Sequence, residues 1–96
     1  MRAARLRPTE TQIRGQVRDY LLIKGWFCFH ILQGLGAYRG ISDLIAVKGG
    51  RVLFVELKTA RGRQSEYQKV FQADLEAAGG EYILCRGIED LQKRGI

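Results

Sequence analysis

Apolar side chains recur at helical spacing near the start of the chain. The members of this stripe are Ile13, Val17, Tyr20 and Leu21. Thr9 and Gln12 stand where a capping box begins a helix, and Gly25 stands where a helix ends. The pattern therefore predicts a first helix over residues 10–24.

A second apolar stripe lies in the last third of the chain. Its members are Tyr67, Val70, Phe71, Leu75 and Ala78. Ser65 and Gln68 form another capping box before it, and Gly79 with Gly80 follows it. These signals predict a second helix between the capping box and the glycine pair, and residues 87–94 add a short terminal helix.

The remaining apolar segments are short and rich in β-branched and aromatic residues, which predicts strands. They cover residues 26–32, 41–47, 51–58 and 81–85. Gly49 and Gly50 separate the second and third strands, as in a two-residue hairpin. The order α-β-β-β-α-β predicts an α/β fold with a mixed sheet, because the hairpin is antiparallel and the second helix returns the last strand to the sheet.

Length and composition favour one small globular domain. The 96 residues are 46% hydrophobic, and no apolar run approaches the ~20 residues of a membrane span. We assign residues 1–8 to a basic arm and residues 9–96 to a single domain. Cys28 and Cys85 lie in apolar segments without metal-ligand spacing, so we expect reduced cysteines and a cytoplasmic location.

The charge balance points to a polyanionic partner. Sixteen Lys and Arg against ten Asp and Glu give a net charge of +6. The arm carries Arg2, Arg5 and Arg7 without an acid, and we expect it to order against phosphate. Nucleic acid is therefore the first candidate partner.

The third strand ends in charges that its apolar pattern does not explain. Glu56 and Lys58 share a strand face with Val52 and Phe54 because strand side chains alternate. If Gly49 and Gly50 form the turn, Asp43 lies opposite Glu56, and the two Cβ atoms are ~4.5–5.5 Å apart. Two carboxylates at that distance repel unless a proton or cation lies between them.

Such a pair suits Mg²⁺ or Mn²⁺, and Lys58 can orient a water or balance phosphate charge. The alternative is an exposed cluster of ion pairs on a hairpin. Glu10 supplies either a third carboxylate or a charge that favours the helix dipole. Gln68 either caps its helix or helps to position phosphate or water. His30 is more typical of a core or interface position, and Gly34-Leu35-Gly36 is more typical of a flexible glycine-rich loop over residues 33–40.

These residues resemble a stand-alone VRR-NUC domain of the PD-(D/E)XK nuclease superfamily, of phage and bacterial type. The similarity covers residues 9–91, with Ser42 in place of the family's proline. The matching blocks are Gly40-Ile41-Ser42-Asp43-Leu44, Phe54-Val55-Glu56-Leu57-Lys58 and Tyr67-Gln68. The resemblance implies a restriction-endonuclease-like core, with helices flanking the mixed sheet.

The resemblance also implies a metal-dependent endonuclease that resolves four-way (Holliday) junctions as a homodimer. Asp43, Glu56 and the Leu57 carbonyl would bind Mg²⁺ or Mn²⁺, Lys58 would activate water, and Glu10 and Gln68 would complete the site. The phosphate-binding residues would be Arg2, Arg5, Arg7, Arg39, Arg61 and Arg63. The alternatives are a flap or duplex endonuclease, a non-catalytic DNA-binding module, and a protein-interaction module that uses the aromatic strand.

Overall fold

The computed structural model describes residues 7–32 and 37–96, which form helices and strands in the predicted order. The elements are α1 (Glu10–Ile23), β1 (Phe27–His30), β2 (Leu44–Lys48), β3 (Arg51–Leu57), α2 (Glu66–Ala77), β4 (Glu81–Cys85) and α3 (Ile88–Gln92). Both predicted capping boxes are present at the first turns of α1 and α2. Side-chain oxygens there satisfy backbone N–H groups that a helix start leaves without a partner.

The four strands form one mixed sheet in the order β1-β2-β3-β4. The β2–β3 hairpin pairs Lys48 with Arg51 and continues to Leu44 opposite Val55, so the register predicted from the turn is confirmed. Gly49 and Gly50 have φ values of 57° and 82°, which only glycine adopts without strain. β4 runs parallel to β3, as a crossover through α2 requires.

The two faces of β3 contact different helices. Leu53, Val55 and Leu57 are completely buried in the main core, which also contains side chains from α1 and α3. On the opposite face, the ring of Phe54 packs 5.9 Å from the ring of Phe71 in α2. β3 is thus covered on both faces at its carboxyl end, whereas Val52 at its start is 39% exposed.

β2 begins three residues later than the apolar pattern predicts. The strand expected over residues 41–47 begins only at Leu44. Ile41 N–H donates to the Tyr38 carbonyl in a turn, and Gly40 has a φ of 79°. A Cβ atom on Gly40 would lie 2.2 Å from the carbonyl oxygen of Tyr67. Close packing against the start of α2 therefore replaces strand pairing here.

The other boundaries differ from the predicted ones by at most two residues. β1 is shorter than the predicted strand 26–32, since Trp26 N–H donates to the Leu21 carbonyl and closes the end of α1. Part of the predicted glycine-rich loop, residues 33–36, and arm residues 1–6 lie outside the described residues. Cys28 and Cys85 are unpaired. None of the helices in the described parts of the chain has the length and apolar character of a membrane span.

Candidate metal centre

The carboxyl end of β3 brings Asp43 beside the strand. The ladder ends at Leu44 and Val55, and Asp43 N–H still donates to the Val55 carbonyl at 3.1 Å. The Asp43 carbonyl accepts from Ile31 N–H at 2.9 Å, which ties the segment to the chain after β1. Its carboxylate Oδ2 accepts from Leu57 N–H, also at 2.9 Å. Backbone and side chain together fix the Asp43 carboxylate at this end of the sheet.

Glu56 is the buried member of the carboxylate pair. Only 1% of it is exposed, and Oε2 accepts a 2.8 Å hydrogen bond from Gln68 Nε2. Lys58 Nζ lies 3.8 Å from the same oxygen. Among the described residues, the buried Oε1 has no hydrogen-bond partner. A buried carboxylate oxygen without a partner is costly, so this atom is available to a ligand.

The raised pKa of Glu56 shows that its ionised form needs a nearby positive charge to be stable. Burial raises the pKa of Glu56 to about 8, and the neighbouring Asp43 carboxylate adds to the rise. Lys58 opposes this change in pKa, and the charge of Glu10 adds slightly to it. Glu56 is therefore mostly protonated at neutral pH when no cation is bound.

The donor set suits a hard cation, with one difference from the expected ligands. Leu57 N–H points to Asp43, and both main-chain groups of a strand residue face the same side, so the Leu57 carbonyl also faces Asp43. Two carboxylates and a carbonyl are oxygen ligands that Mg²⁺ or Mn²⁺ accepts. However, no group of three His, Cys, Asp or Glu side chains able to hold a metal converges within residues 7–32 and 37–96. The exposed Glu10 reaches Glu56 only through its electric field.

Lys58 is held by the turn that follows β3. Its N–H donates to the Cys85 carbonyl at 3.1 Å, and its side chain is 17% exposed. Arg86 Nη1 donates to the carbonyls of Thr59 and Gly62 at 2.6 and 2.7 Å, which fixes the turn. The sequence did not point to Arg86, because its partners are main-chain atoms that no side-chain pattern reveals.

Gln68 completes the predicted capping box and also contacts Glu56. Its Oε1 accepts from Ser65 N–H at 2.9 Å in the capping box, while its Nε2 contacts Glu56. The capping geometry therefore sets where the amide nitrogen lies. Because Gln68 Nε2 donates to Oε2 of Glu56, the second carboxylate oxygen, Oε1, stays available to a ligand.

A cleft of about 430 Å³ opens beside the carboxylates on the α2 face, lined in part by Asp43 and Gln68. Arg39 and Tyr67 lie at its wall, with the guanidinium 4.2 Å from the ring centroid and 2.8 Å from the hydroxyl. Arg39 is thus an expected phosphate-binding arginine that lines the same cleft as Asp43. Arg7, Arg61 and Arg63 are exposed elsewhere, and Arg2 and Arg5 lie outside the described residues.

Tyr82 is a further residue at the site that the sequence did not reveal. It is 1% exposed, and its hydroxyl accepts from Gln64 Nε2 at 3.0 Å. Burial raises the pKa of Tyr82, and the nearby charges of Glu56 and Asp43 raise it further. Tyr82 faces this site because of the parallel register between β3 and β4, for which the sequence carries no marker.

Comparison with protein-family models, curated proteins and solved structures gives no match. The class of protein is therefore defined by geometry. It is a small α/β domain whose four-stranded mixed sheet carries a carboxylate pair and a lysine at the end of its central hairpin.

Proposed function

We propose that the protein is a metal-dependent endonuclease that cuts branched DNA, with a VRR-NUC-like core of the PD-(D/E)XK type. The observation that carries the proposal is the buried Glu56 Oε1, which has no hydrogen-bond partner among residues 7–32 and 37–96 although Asp43 and Lys58 are close to the carboxylate. A protein that only binds DNA gains nothing from a buried carboxylate pair, since the pair repels phosphate. A nuclease needs such a pair to hold its cation.

In this proposal, Asp43, Glu56 and the Leu57 carbonyl hold Mg²⁺ or Mn²⁺. The bound ion would acidify a water molecule and neutralise charge on the phosphate. Gln68 orients Glu56 through the 2.8 Å hydrogen bond, and this leaves Oε1 for the cation. Glu10 adds negative charge from a distance, which favours cation binding.

Lys58 is the group proposed to act on the reacting atoms. Its ammonium lies 3.8 Å from Glu56 Oε2, and its side chain is still 17% exposed, so a ligand can reach it. It would hold the attacking water by a hydrogen bond and stabilise the charge that develops on the phosphoryl oxygens. Arg86 supports this role indirectly by fixing the turn after Lys58.

DNA is the proposed partner because of the net charge of +6 and the place of the arginines. Arg39 lines the cleft beside Asp43, and Arg61 and Arg63 follow Lys58 in the chain. These residues would contact phosphates on either side of the cut, and the basic arm would extend the contact. The cytoplasmic location belongs to the same proposal.

A four-way junction needs two symmetric cuts, and we extend the proposal to a homodimer. β1 is an edge of the sheet formed by the described residues. An edge strand can pair antiparallel with its own copy about a two-fold axis. Phe27 and Phe29, which are 65% and 41% exposed with ring centroids 5.7 Å apart, would then be covered. Sedimentation should show a dimer for the native chain and a monomer for Phe27→Glu.

The test is cleavage of a labelled four-way junction, a flap and a linear duplex that share one sequence. Each is incubated with Mg²⁺, Mn²⁺ or EDTA. We expect paired cuts in the junction, no cutting in EDTA and no cutting by Glu56→Gln. Glu76→Gln, an exposed position near the end of α2, is the matched control and should cut at the native rate.

The other outcomes separate the alternatives. Cutting of flap or duplex DNA instead of the junction would keep the nuclease and overturn the junction specificity. Tight binding without cutting under every metal condition would overturn the nuclease and favour a non-catalytic DNA-binding module.

A further inference from the structure

A second cleft, of about 410 Å³, opens beside Asp43 and is lined by Arg14, His30, Ile31, Leu32 and Asp43. His30 pairs with Leu44, whose side chain lies in the core beneath α1, so this cleft is on the α1 face of the sheet. The cleft that contains Arg39 and Tyr67 is on the α2 face. Asp43 is shared by both clefts.

Arg14 is unusual among the arginines of the described residues. It is half-buried on α1, yet within residues 7–32 and 37–96 its guanidinium has no hydrogen-bond or ion-pair acceptor. Arg51, by comparison, forms a two-point contact with Glu81 at 2.9 and 2.8 Å. A planar guanidinium with free donors, held in a cleft, fits the oxygens of a phosphate group.

The surroundings of Arg14 indicate what kind of phosphate fits. Burial, and then the charges of Arg14 and Arg18, lower the pKa of His30, whereas the charge of Asp43 raises it, so Arg14 lies near an imidazole ring that can donate a hydrogen bond. Leu32 is 88% exposed and offers an apolar contact to a sugar or base. The Asp43 carboxylate disfavours a free anion at that end, whereas a chain of phosphates bridged there by a cation avoids this repulsion.

We infer that Arg14 and His30 form a second phosphate subsite, which holds the phosphodiester next to the one positioned at Asp43 and Glu56. This subsite rests on the proposed nuclease function and deepens it, because the nucleic-acid chain would pass Asp43 from one face of the sheet to the other. Arg14 binds one phosphate, and Leu32 contacts the nucleoside attached to it. Arg39 binds another phosphate of the same nucleic-acid chain, in the cleft on the α2 face of the sheet.

The chain contains one histidine, so His30 provides a single, unambiguous imidazole signal in NMR spectra. The probe is thymidine 3′,5′-bisphosphate, titrated into the native chain first in EDTA and then with Mg²⁺. We expect a saturable shift of the His30 signal. In Arg14→Gln the dissociation constant should rise at least about tenfold, since a charge-assisted contact is lost. Arg14→Lys should retain part of the binding.

Arg18→Gln is the matched control. Arg18 lies one turn further along α1, carries the same charge and forms only a 3.8 Å contact with Asp19. Its loss changes the electric field at His30 without removing a donor from the cleft, so the dissociation constant should change less than about twofold. Equal weakening in both variants, or a His30 signal that does not respond to the probe, would overturn the subsite. Melting curves confirm that each variant is folded.

Binding of junction DNA gives a second readout. Arg14→Gln should reduce the slope of log affinity against log salt by about one, the value for one lost phosphate contact, and Arg18→Gln should leave it unchanged. The two proposals fail separately. If the native chain binds the probe at His30 and never cuts DNA, the nuclease is overturned and the anion site stands. If it cuts DNA and Arg14→Gln behaves like Arg18→Gln, only the subsite is overturned.

Discussion

Gln68 donates a 2.8 Å hydrogen bond from Nε2 to the buried carboxylate of Glu56, while its Oε1 accepts from the N–H of Ser65. One side chain therefore joins the start of α2 to the carboxylate pair. The folding signal of the helix and the geometry of the proposed metal centre depend on the same amide group. This relationship allows stability and activity to be separated by mutation.

Gln68→Glu should preserve the helix start and damage the site. Glutamate also completes a capping box, so we expect the start of α2 to be retained, while the loss of the hydrogen bond to the buried Glu56 should lower stability by about 1–3 kcal/mol. The donor to Glu56 is replaced by a repelling carboxylate, and DNA cutting should fall by roughly 10–100-fold, the usual effect of losing a residue that orients a metal ligand. Cleavage rates and melting curves measure the two effects.

Ser65→Ala is the complementary control. It removes the hydroxyl that accepts from Gln68 N–H and should cost about 1 kcal/mol of stability. Cutting should stay near the native rate because the contact with Glu56 is untouched. Equal losses of activity in the two variants would contradict a positioning role for Gln68.

The stability of the metal-free protein should fall as the pH rises. Glu56 has a pKa of about 8 in the folded chain against 4.5 for a fully hydrated glutamate, so the folded state binds more protons between these values. The stabilisation is fully present below the lower pKa and is lost as pH rises through the upper one. The slope is at most about 1.4 kcal/mol per pH unit.

Urea unfolding in EDTA between pH 5 and pH 9 measures this dependence. In Glu56→Gln the side chain at position 56 is neutral at every pH, so the fall in stability with rising pH should largely disappear. A decline of the same size in both proteins would show that Glu56 does not hold the extra proton.

Mg²⁺ should stabilise the folded chain and release a proton as it binds. The cation requires both carboxylates in the ionised form, so each ion should displace up to about one proton at pH 7. The melting temperature should rise with Mg²⁺ concentration, as mass action requires. Calorimetry in two buffers of different ionisation enthalpy counts the protons. Asp43→Asn and Glu56→Gln should lose both effects, and a native melting curve that ignores Mg²⁺ and Mn²⁺ would contradict the metal centre.

Gly40→Ala tests the close packing between the segment before β2 and the start of α2. Gly40 has a φ of 79°, and the added Cβ atom would lie 2.2 Å from the Tyr67 carbonyl oxygen. We expect a loss of more than about 2 kcal/mol of stability, together with slower cutting, because Asp43 and Gln68 are displaced relative to each other. Gly49→Ala is the control. It has a φ of 57° but open space around it, so it should cost only the ~1–2 kcal/mol of a left-handed conformation and leave cutting intact.

The parts of the fold that were predictable depend on neighbours in sequence. The Gly49–Gly50 turn determined the hairpin register, and the register placed Asp43 beside Glu56. The capping residues located the starts of both long helices. These signals act over a few residues, so the sequence alone is enough to read them.

The parts that were not predictable depend on packing between distant segments. Residues 41–43 lie outside β2 because Gly40 packs against the backbone at Tyr67, and Arg86 holds the turn after Lys58 through main-chain oxygens. Glu10 was expected among the metal ligands from its place on the inward helix face, yet as the first residue of α1 it is exposed. No short-range pattern encodes these distances.

The burial of Glu56 has a consequence for anyone who wishes to make this protein more heat-resistant. An uncharged or apolar side chain at position 56 would remove an ionisable group from a position that is 1% exposed and would be expected to raise the melting temperature. A redesign guided by stability alone would therefore replace this carboxylate first. The resulting protein would melt at a higher temperature but would lack the proposed metal ligand. Position 56 should be held fixed in any such redesign, and improvements sought on the exposed surfaces of α1 and α2.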